Sequence, residues 1–499
     1  MRQILCTLLC TLLCTTAAAA AALACTAYPA AAAVGPDYKG PPAAAPAATA
    51  AGRFHRAADA QAAAAAPPVR WWEGLNDPLL TWLVDEALAG SPTVREAQAK
   101  VRAARARLGE SKTQLLPSGG AGAREANARL PDDILAGRSG AAKSLNLYNA
   151  GFDASWELDI FGGQRRAVEA AGAEAQAQQA ALQDAQVQLA AEVGHAYVGL
   201  REAQTRLALA REAVELQRQV LDLTRQRQAR GAAADGDIER VETDFEQAEA
   251  EVAPLAGQTD QFRDQLAVLT GREPGALDAE LAAAVPVRGQ VPAPPSATAT
   301  GDPAALLRRR PDIRAAERRL AASTARIGQN VAEFFPKVSL VGDIGVSGAD
   351  IGHGFGPGRF GAVGGPSLTW GVLNFPRIGA EVRAAKADRD AAAADYQAVV
   401  LSALQDAEGA LSRFGAQRQR LAALARAEAS ATRAADITRR RYQAGTASLI
   451  DTLDAQRQQI QARQALAQGQ AELTDDYVAL QKSLGLGWGA PAPAAPTAR

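Results

Sequence analysis

The chain has 499 residues, enough for a large core or an extended multi-helix body, and its formal charge of −1 excludes a general nucleic-acid binder. Alanine is frequent and aromatic residues make up only 5 %, a composition suited to long, closely packed helices. Catalytic constellations are missing. His55, His195 and His353 stand far apart, and no His-Glu zinc motif, nucleophile elbow or Walker loop is present.

Met1-Arg2 is a short basic start, followed by an apolar run from Ile4 to Leu13 and small residues up to Leu23-Ala24-Cys25. This pattern is a secretory signal peptide over 1–24. Cys25 after Leu-Ala resembles a bacterial lipobox, which implies a lipid on Cys25; cleavage after an Ala-x-Ala-like site is the other reading. All four cysteines fall within this segment, so no disulfide framework or cysteine metal site is expected. No later apolar run reaches the roughly 18 residues that a membrane helix needs. A membrane crossing must therefore use a β-barrel.

Residues 25–68 are Ala/Pro-rich and read as an extended lead containing Val34-Gly-Pro-Asp-Tyr38. Trp71-Trp72 and Asp77-Pro78 open the folded part, and two adjacent tryptophans read as helix anchors. Helices are predicted to about Gly90 and over 91–116. Strands follow over 118–130 and 145–160, the second with Phe152, Ala154, Trp156 and Leu158 on one face. The longest helix spans about 164–230, roughly 100 Å at 1.5 Å per residue. Val193, Leu200, Leu207, Val214 and Leu221 recur every seven positions on it, with Ala196, Ala203 and Ala210 on the alternate seam. Gly231 ends it, and one return helix is expected over 236–270.

The chain then begins again. Asp302 and Pro303 start a helix, Pro311 starts a second, and Ile313, Glu317, Leu320, Thr324 and Ile327 share one face up to Pro336. A second strand pair is predicted over 338–348 and 359–373, and a second helical hairpin over 376–443 and 448–485. Trp156 to Phe161 (WELDIF) reappears as Trp370 to Phe375 (WGVLNF), and Gly231 with Asp237 reappears as Gly445 with Asp451. Both pairs share an offset of 214 residues, the mark of a duplication.

The run Leu306 to Ile313 (LLRRRPDI), with Ala316-Glu317-Arg318, Ala325-Arg326-Ile327-Gly328 and Phe335-Pro336, closely resembles the signature of the outer-membrane factors, the TolC-like tunnel proteins of tripartite efflux pumps, and most closely their lipoprotein branch. The resemblance implies a mixed α and membrane-β fold of two tandem repeats, each a strand pair plus long coiled-coil helices. Three chains would form a homotrimer with a twelve-stranded β-barrel continued by a periplasmic helical tunnel. The implied organisation is a signal peptide over 1–24, a lipidated tether over 25–68, repeat 1 over 69–275, a linker over 276–301, repeat 2 over 302–488 and a tail over 489–499. The implied function is passive exit of drugs or other small molecules, with no cofactor. The implied partners are a periplasmic adaptor, an inner-membrane transporter and outer-membrane lipid, with no nucleic acid.

The resemblance also implies a periplasmic gate at the helical turns, built from Asp237, Tyr442, Ile450, Asp451 and Asp454. Three chains would bring carboxylate rings together there, and Tyr442 would donate to Asp237. The family often carries an arginine two residues after the turn glycine; Ala447 stands there instead, with Arg440, Arg441 and Arg457 as substitutes. Helix capping with ordinary surface charge is the plain alternative for these carboxylates. A protein-secretion duct and a non-conducting periplasmic scaffold remain the competing readings of the whole chain.

Overall fold

The computed structural model describes residues 33–58, 62–63, 65–129, 144–231, 233–283, 291–348 and 360–488. The signal peptide, Cys25, most of both expected strand-hairpin loops and the tail after 488 lie outside them. By internal contacts the chain forms two compact units. One holds the described residues up to Pro41 with Ala103–Ala175 and Arg318–Ala393. The other holds Pro42–Arg102, Gln176–Glu317 and the chain from Ala394 onward.

The first unit contains the sheet. Strands β1 (Ser118–Arg129), β2 (Ser144–Leu158), β3 (Lys337–Gly348) and β4 (Phe360–Thr369) pair antiparallel in that order. Each repeat thus supplies one hairpin, and β2 joins them by pairing with β3, Phe152 opposite Ile344. Phe152, Ala154, Trp156 and Leu158 share a face with Val338, Leu340, Ile344, Val346, Phe360 and Leu368. Phe152 and Phe360 are each more than 60 % exposed, so among the described residues nothing covers this end of the apolar face. The opposite face carries Asp153, Ser155, Glu157, Ser339, Asp343 and Ser347 among glycines, with Val341 and Val363 exposed between them. Asp153 stands directly opposite Asp343. Like charges so placed are unfavourable in a sheet and require water beside them.

The duplication is visible in bonds. Trp156 donates its indole N–H to the carbonyl of Leu115 at 2.9 Å, and Trp370 donates to that of Phe334 at 3.0 Å. Each acceptor lies two residues before a proline, Pro117 or Pro336.

The second unit is mainly helical, with one short parallel strand pair, Ala62–Ala63 against Thr298–Ala299. Helices α1 (Pro78–Gly90) and α2 (Pro92–Thr113) lead up to the sheet in sequence. The 67-residue α3 (Gly163–Ala229) belongs to the second unit beyond Ala175. Val193, Leu200, Ala196, Ala203 and Ala210 on its seams are buried, as the heptads required, while Leu207 and Val214 are half-buried. The expected single return helix is instead two, α4 (Asp235–Ala250) and α5 (Val252–Leu269), broken at Glu251. Pro254 explains the break: it has no N–H for the carbonyl of Ala250, and its ring crowds that carbonyl. Repeat 2 supplies α6 (Pro303–Arg309), α7 (Pro311–Ala332), α8 (Phe375–Gln443) and α9 (Leu449–Ser483).

Trp71 and Trp72 are fully buried edge-to-face, centroids 5.6 Å apart, in the core of this unit. Tyr197 donates to Asp77 at 2.6 Å and accepts from the buried Arg201 at 2.8 Å, while Asp77 caps α1 by accepting from Leu79 and Leu80. The lead is less loose than its composition suggests. It includes a short helix, Pro46–Ala51, and Phe54 is 2 % exposed in the core. The N–H groups of His55 and Arg56 beside it donate to Glu408 at 2.8 and 3.0 Å.

Candidate functional site

The two helical turns are built alike. At the end of α8, Gly445 adopts φ +75°, the left-handed conformation that glycine takes without strain. Its N–H donates to the carbonyl of Tyr442 at 2.9 Å, and that of Thr446 donates to the carbonyl of Arg441 at 2.8 Å. At the end of α3, Gly231 has φ +73° and its N–H donates to the carbonyl of Gln228 at 2.7 Å.

The starts of the return helices differ. Ser448 caps α9 by accepting from the Asp451 N–H at 3.1 Å, and Asp451 accepts from the Ser448 N–H at 3.1 Å, a complete reciprocal box. In repeat 1, Asp237 accepts from the Ala234 N–H at 3.1 Å, but Ala234 has no side-chain acceptor to return the bond. The plain capping alternative is thus realised for both aspartates, which remain exposed.

Asp237, Ile450 and Asp454 line one groove of about 600 Å³ between the α3–α4 hairpin and α9. Leu216, Val220, Val241, Leu453 and Ile460 form its apolar floor, and Arg227, Arg240 and Arg457 share its walls. Arg457 pairs with Asp454 at 3.4 Å. Arg240 stands one offset of 214 from Asp454, so the two hairpins place opposite charges at equivalent positions of one groove. That pairing was available from the offset and was not read from the sequence. Asp451 is exposed, as is Tyr442 at 42 %, and within one chain the Asp237 carboxylate is engaged by Ala234 rather than by Tyr442.

A four-stranded sheet with one exposed apolar face and two long helical hairpins are the features of an outer-membrane duct. Comparison with known proteins agrees. The family described as outer membrane efflux protein matches residues 83–272 and 303–486, and the chain belongs to it. It is 33 % identical over 446 residues to the outer membrane protein OprJ of Pseudomonas aeruginosa, covering 89 % of this chain and 91 % of that one. It is 28 % identical to the solvent efflux pump outer membrane protein SrpC of Pseudomonas putida, over 83 % of this chain and 87 % of that one. The solved outer-membrane channel OprN superposes with a TM-score of 0.80 at 36 % identity, covering 91 % of this chain and 99 % of that one. The fold is therefore the TolC-like one. The protein is an outer-membrane efflux channel of a tripartite system in a Gram-negative cell, extending into the periplasm, and not an enzyme.

The unequal caps give a direct test. Ala234→Ser supplies the missing acceptor and should stabilise the start of α4 by about 1 kcal/mol, the usual worth of an N-cap. Slower hydrogen exchange in the first turn of α4 checks this; unchanged exchange contradicts it. Hydrogen bonding to Ser448, first its side chain and then its backbone, holds the Asp451 carboxyl below the usual carboxylate range. A depressed folded pKa adds stability that is complete above the ordinary carboxylate value and gone once pH has fallen through the depressed one. The start of α9 should therefore remain protected through the ordinary carboxylate range and loosen only below it.

Proposed function

We propose that three copies of this chain form a passive exit duct for small molecules, closed at rest by the turns of the helical hairpins. The observation that carries the reading is the sheet. Its edge strands β1 and β4 each pair on one side only. In hydrocarbon an unpaired backbone group costs several kcal/mol. A barrel needs about eight strands or more, and three four-stranded sheets make twelve. The polar face with Asp153 and Asp343 then lines the water-filled interior, and the apolar face meets lipid.

In such a trimer, Asp451 and Asp454 repeat around one axis and form a constriction that attracts cations and repels anions. Tyr442, exposed in the single chain, meets Asp237 of a neighbouring hairpin, while Ile450 narrows the passage. Energy comes from an inner-membrane transporter coupled through a periplasmic adaptor. No selective pocket is required, so the compounds exported are set by the transporter. The repeats over 69–275 and 302–488 supply equivalent halves of each chain's share of the wall, joined by the linker over 276–301.

The gate is tested by single-channel recording. A hydrogen bond to a charged acceptor contributes about 1 kcal/mol or somewhat more. Lost in three subunits, it shifts a closed–open equilibrium by about two decades or more, at about 1.4 kcal/mol per decade. Tyr442→Phe with Asp237→Ala should raise resting conductance. Asp451→Ala with Asp454→Ala should lower cation preference and weaken block by multivalent cations from the periplasmic side. Ala447→Arg should tighten the closed state. Unchanged conductance, selectivity and block in all three would place the constriction elsewhere.

Cys25 is the proposed lipid site, nine residues before Val34. The extended chain between them spans at most about 30 Å, so the lipid sits close to the residues that receive Val34. Mass spectrometry of the mature N-terminus should find an acylated Cys25. An unmodified N-terminus beyond residue 25 contradicts it. With the barrel holding the membrane, Cys25→Ser should reduce sorting or assembly more than conductance.

A further inference from the structure

Arg166, on the first turn of α3, is 5 % exposed. Its guanidinium donates to Glu169 of its own helix at 2.7 Å, and its other bonds run to a segment more than a hundred residues away. It donates to Asp37 at 2.5 Å, to the carbonyl of Val34 at 3.2 Å and to that of Ala33 at 3.3 Å. The Arg166 hydrogen bond in turn holds the Asp37 carboxyl below the usual carboxylate range. Without that segment the guanidinium would lose the Asp37 carboxylate and both carbonyls and keep Glu169 alone among these partners.

The backbone fit is equally specific. Gly35 has φ +92°, and a Cβ there would stand 2.4 Å from the Cα of Gly328 on α7. A Cβ on Gly328 would stand 2.7 Å from the carbonyl oxygen of Val34. The Val34 N–H donates to the carbonyl of Phe161 at 3.1 Å, just beyond the end of β2. Tyr38 closes the segment by packing on Ala173 of α3 and Ala321 and Ala322 of α7, with the Arg318 guanidinium 5.4 Å from its ring centroid. Residues 34–38 therefore touch repeat 1 on one side and repeat 2 on the other. The receiving site is incomplete until the chain has been made as far as Gly328.

We propose that Val34–Tyr38 is an intramolecular ligand, that Arg166 and Gly328 form its dedicated peptide-binding site, and that its docking latches the two repeats together at the foot of the sheet. The latch goes beyond the duct reading and does not need the gate. It gives the motif a purpose that a passive tether lacks. The segment nearest the lipid is secured only after both repeats have folded around it.

Hydrogen exchange on the full-length protein in detergent tests the latch. In the natural chain the Val34 amide should be strongly protected, in contrast to the residues just after Tyr38. Asp37→Ala removes a charge-assisted bond and should speed exchange about tenfold or more in the segments 161–173 and 318–328 together. Asp37→Asn, which keeps an acceptor, should do so less. Gly35→Val should release the segment, and a synthetic peptide of sequence Ala-Val-Gly-Pro-Asp-Tyr in excess should restore protection of both segments. Unchanged exchange over 449–483 confirms that each variant is folded. An unprotected Val34 in the natural chain, or release that leaves 161–173 and 318–328 as before, overturns the proposal.

Discussion

The outer hydrogen-bonding groups of β1 and β4 govern the rest of the molecule. Each strand pairs on one side only, and hydrocarbon supplies no substitute for the missing bonds. The chain therefore cannot be complete as a membrane protein by itself. An apolar face more than half exposed at Phe152, Phe360 and Leu368 says the same in side chains. A soluble sheet would have covered these residues or replaced them. The helices inherit the constraint, because every wall built on the sheet must repeat as often as the sheet does.

Duplication makes that repetition economical. One hairpin with one set of helices has been used twice, and β2 pairs with β3 to fuse the copies into one continuous sheet. The tryptophan bonds to Leu115 and Phe334 are shared by both copies, whereas the starts of the return helices have diverged. Ser448 completes a cap that Ala234 leaves half made, and Asp454 answers Arg240.

The sequence carried much of this. The alternation at Phe152, Ala154, Trp156 and Leu158 marked a strand with one apolar face, and the seven-residue spacing from Val193 to Leu221 marked a long packed helix. Both depend on local period, which a sequence displays directly. The break at Glu251 was also legible, since Pro254 stands in plain view, but the heptads on either side continue through it and concealed it. Ser448 and Asp451 form a readable capping box. The cradle around Val34–Tyr38 was not legible, because Arg166 and Asp37 are 129 residues apart and nothing local joins them. The position of the gate residues relative to one another is hidden for a stronger reason. In the proposed trimer it belongs to an assembly of chains; within the chain, Asp237, Ile450 and Asp454 share one groove.

The central claim is that the sheet is closed by identical copies of the chain. The most direct test is the mass of the protein–detergent complex after gentle extraction, with the detergent contribution subtracted. Closure of a twelve-stranded barrel predicts three chains per particle, unchanged on dilution. A particle of one or two chains would leave the sheet edges open and contradict the account.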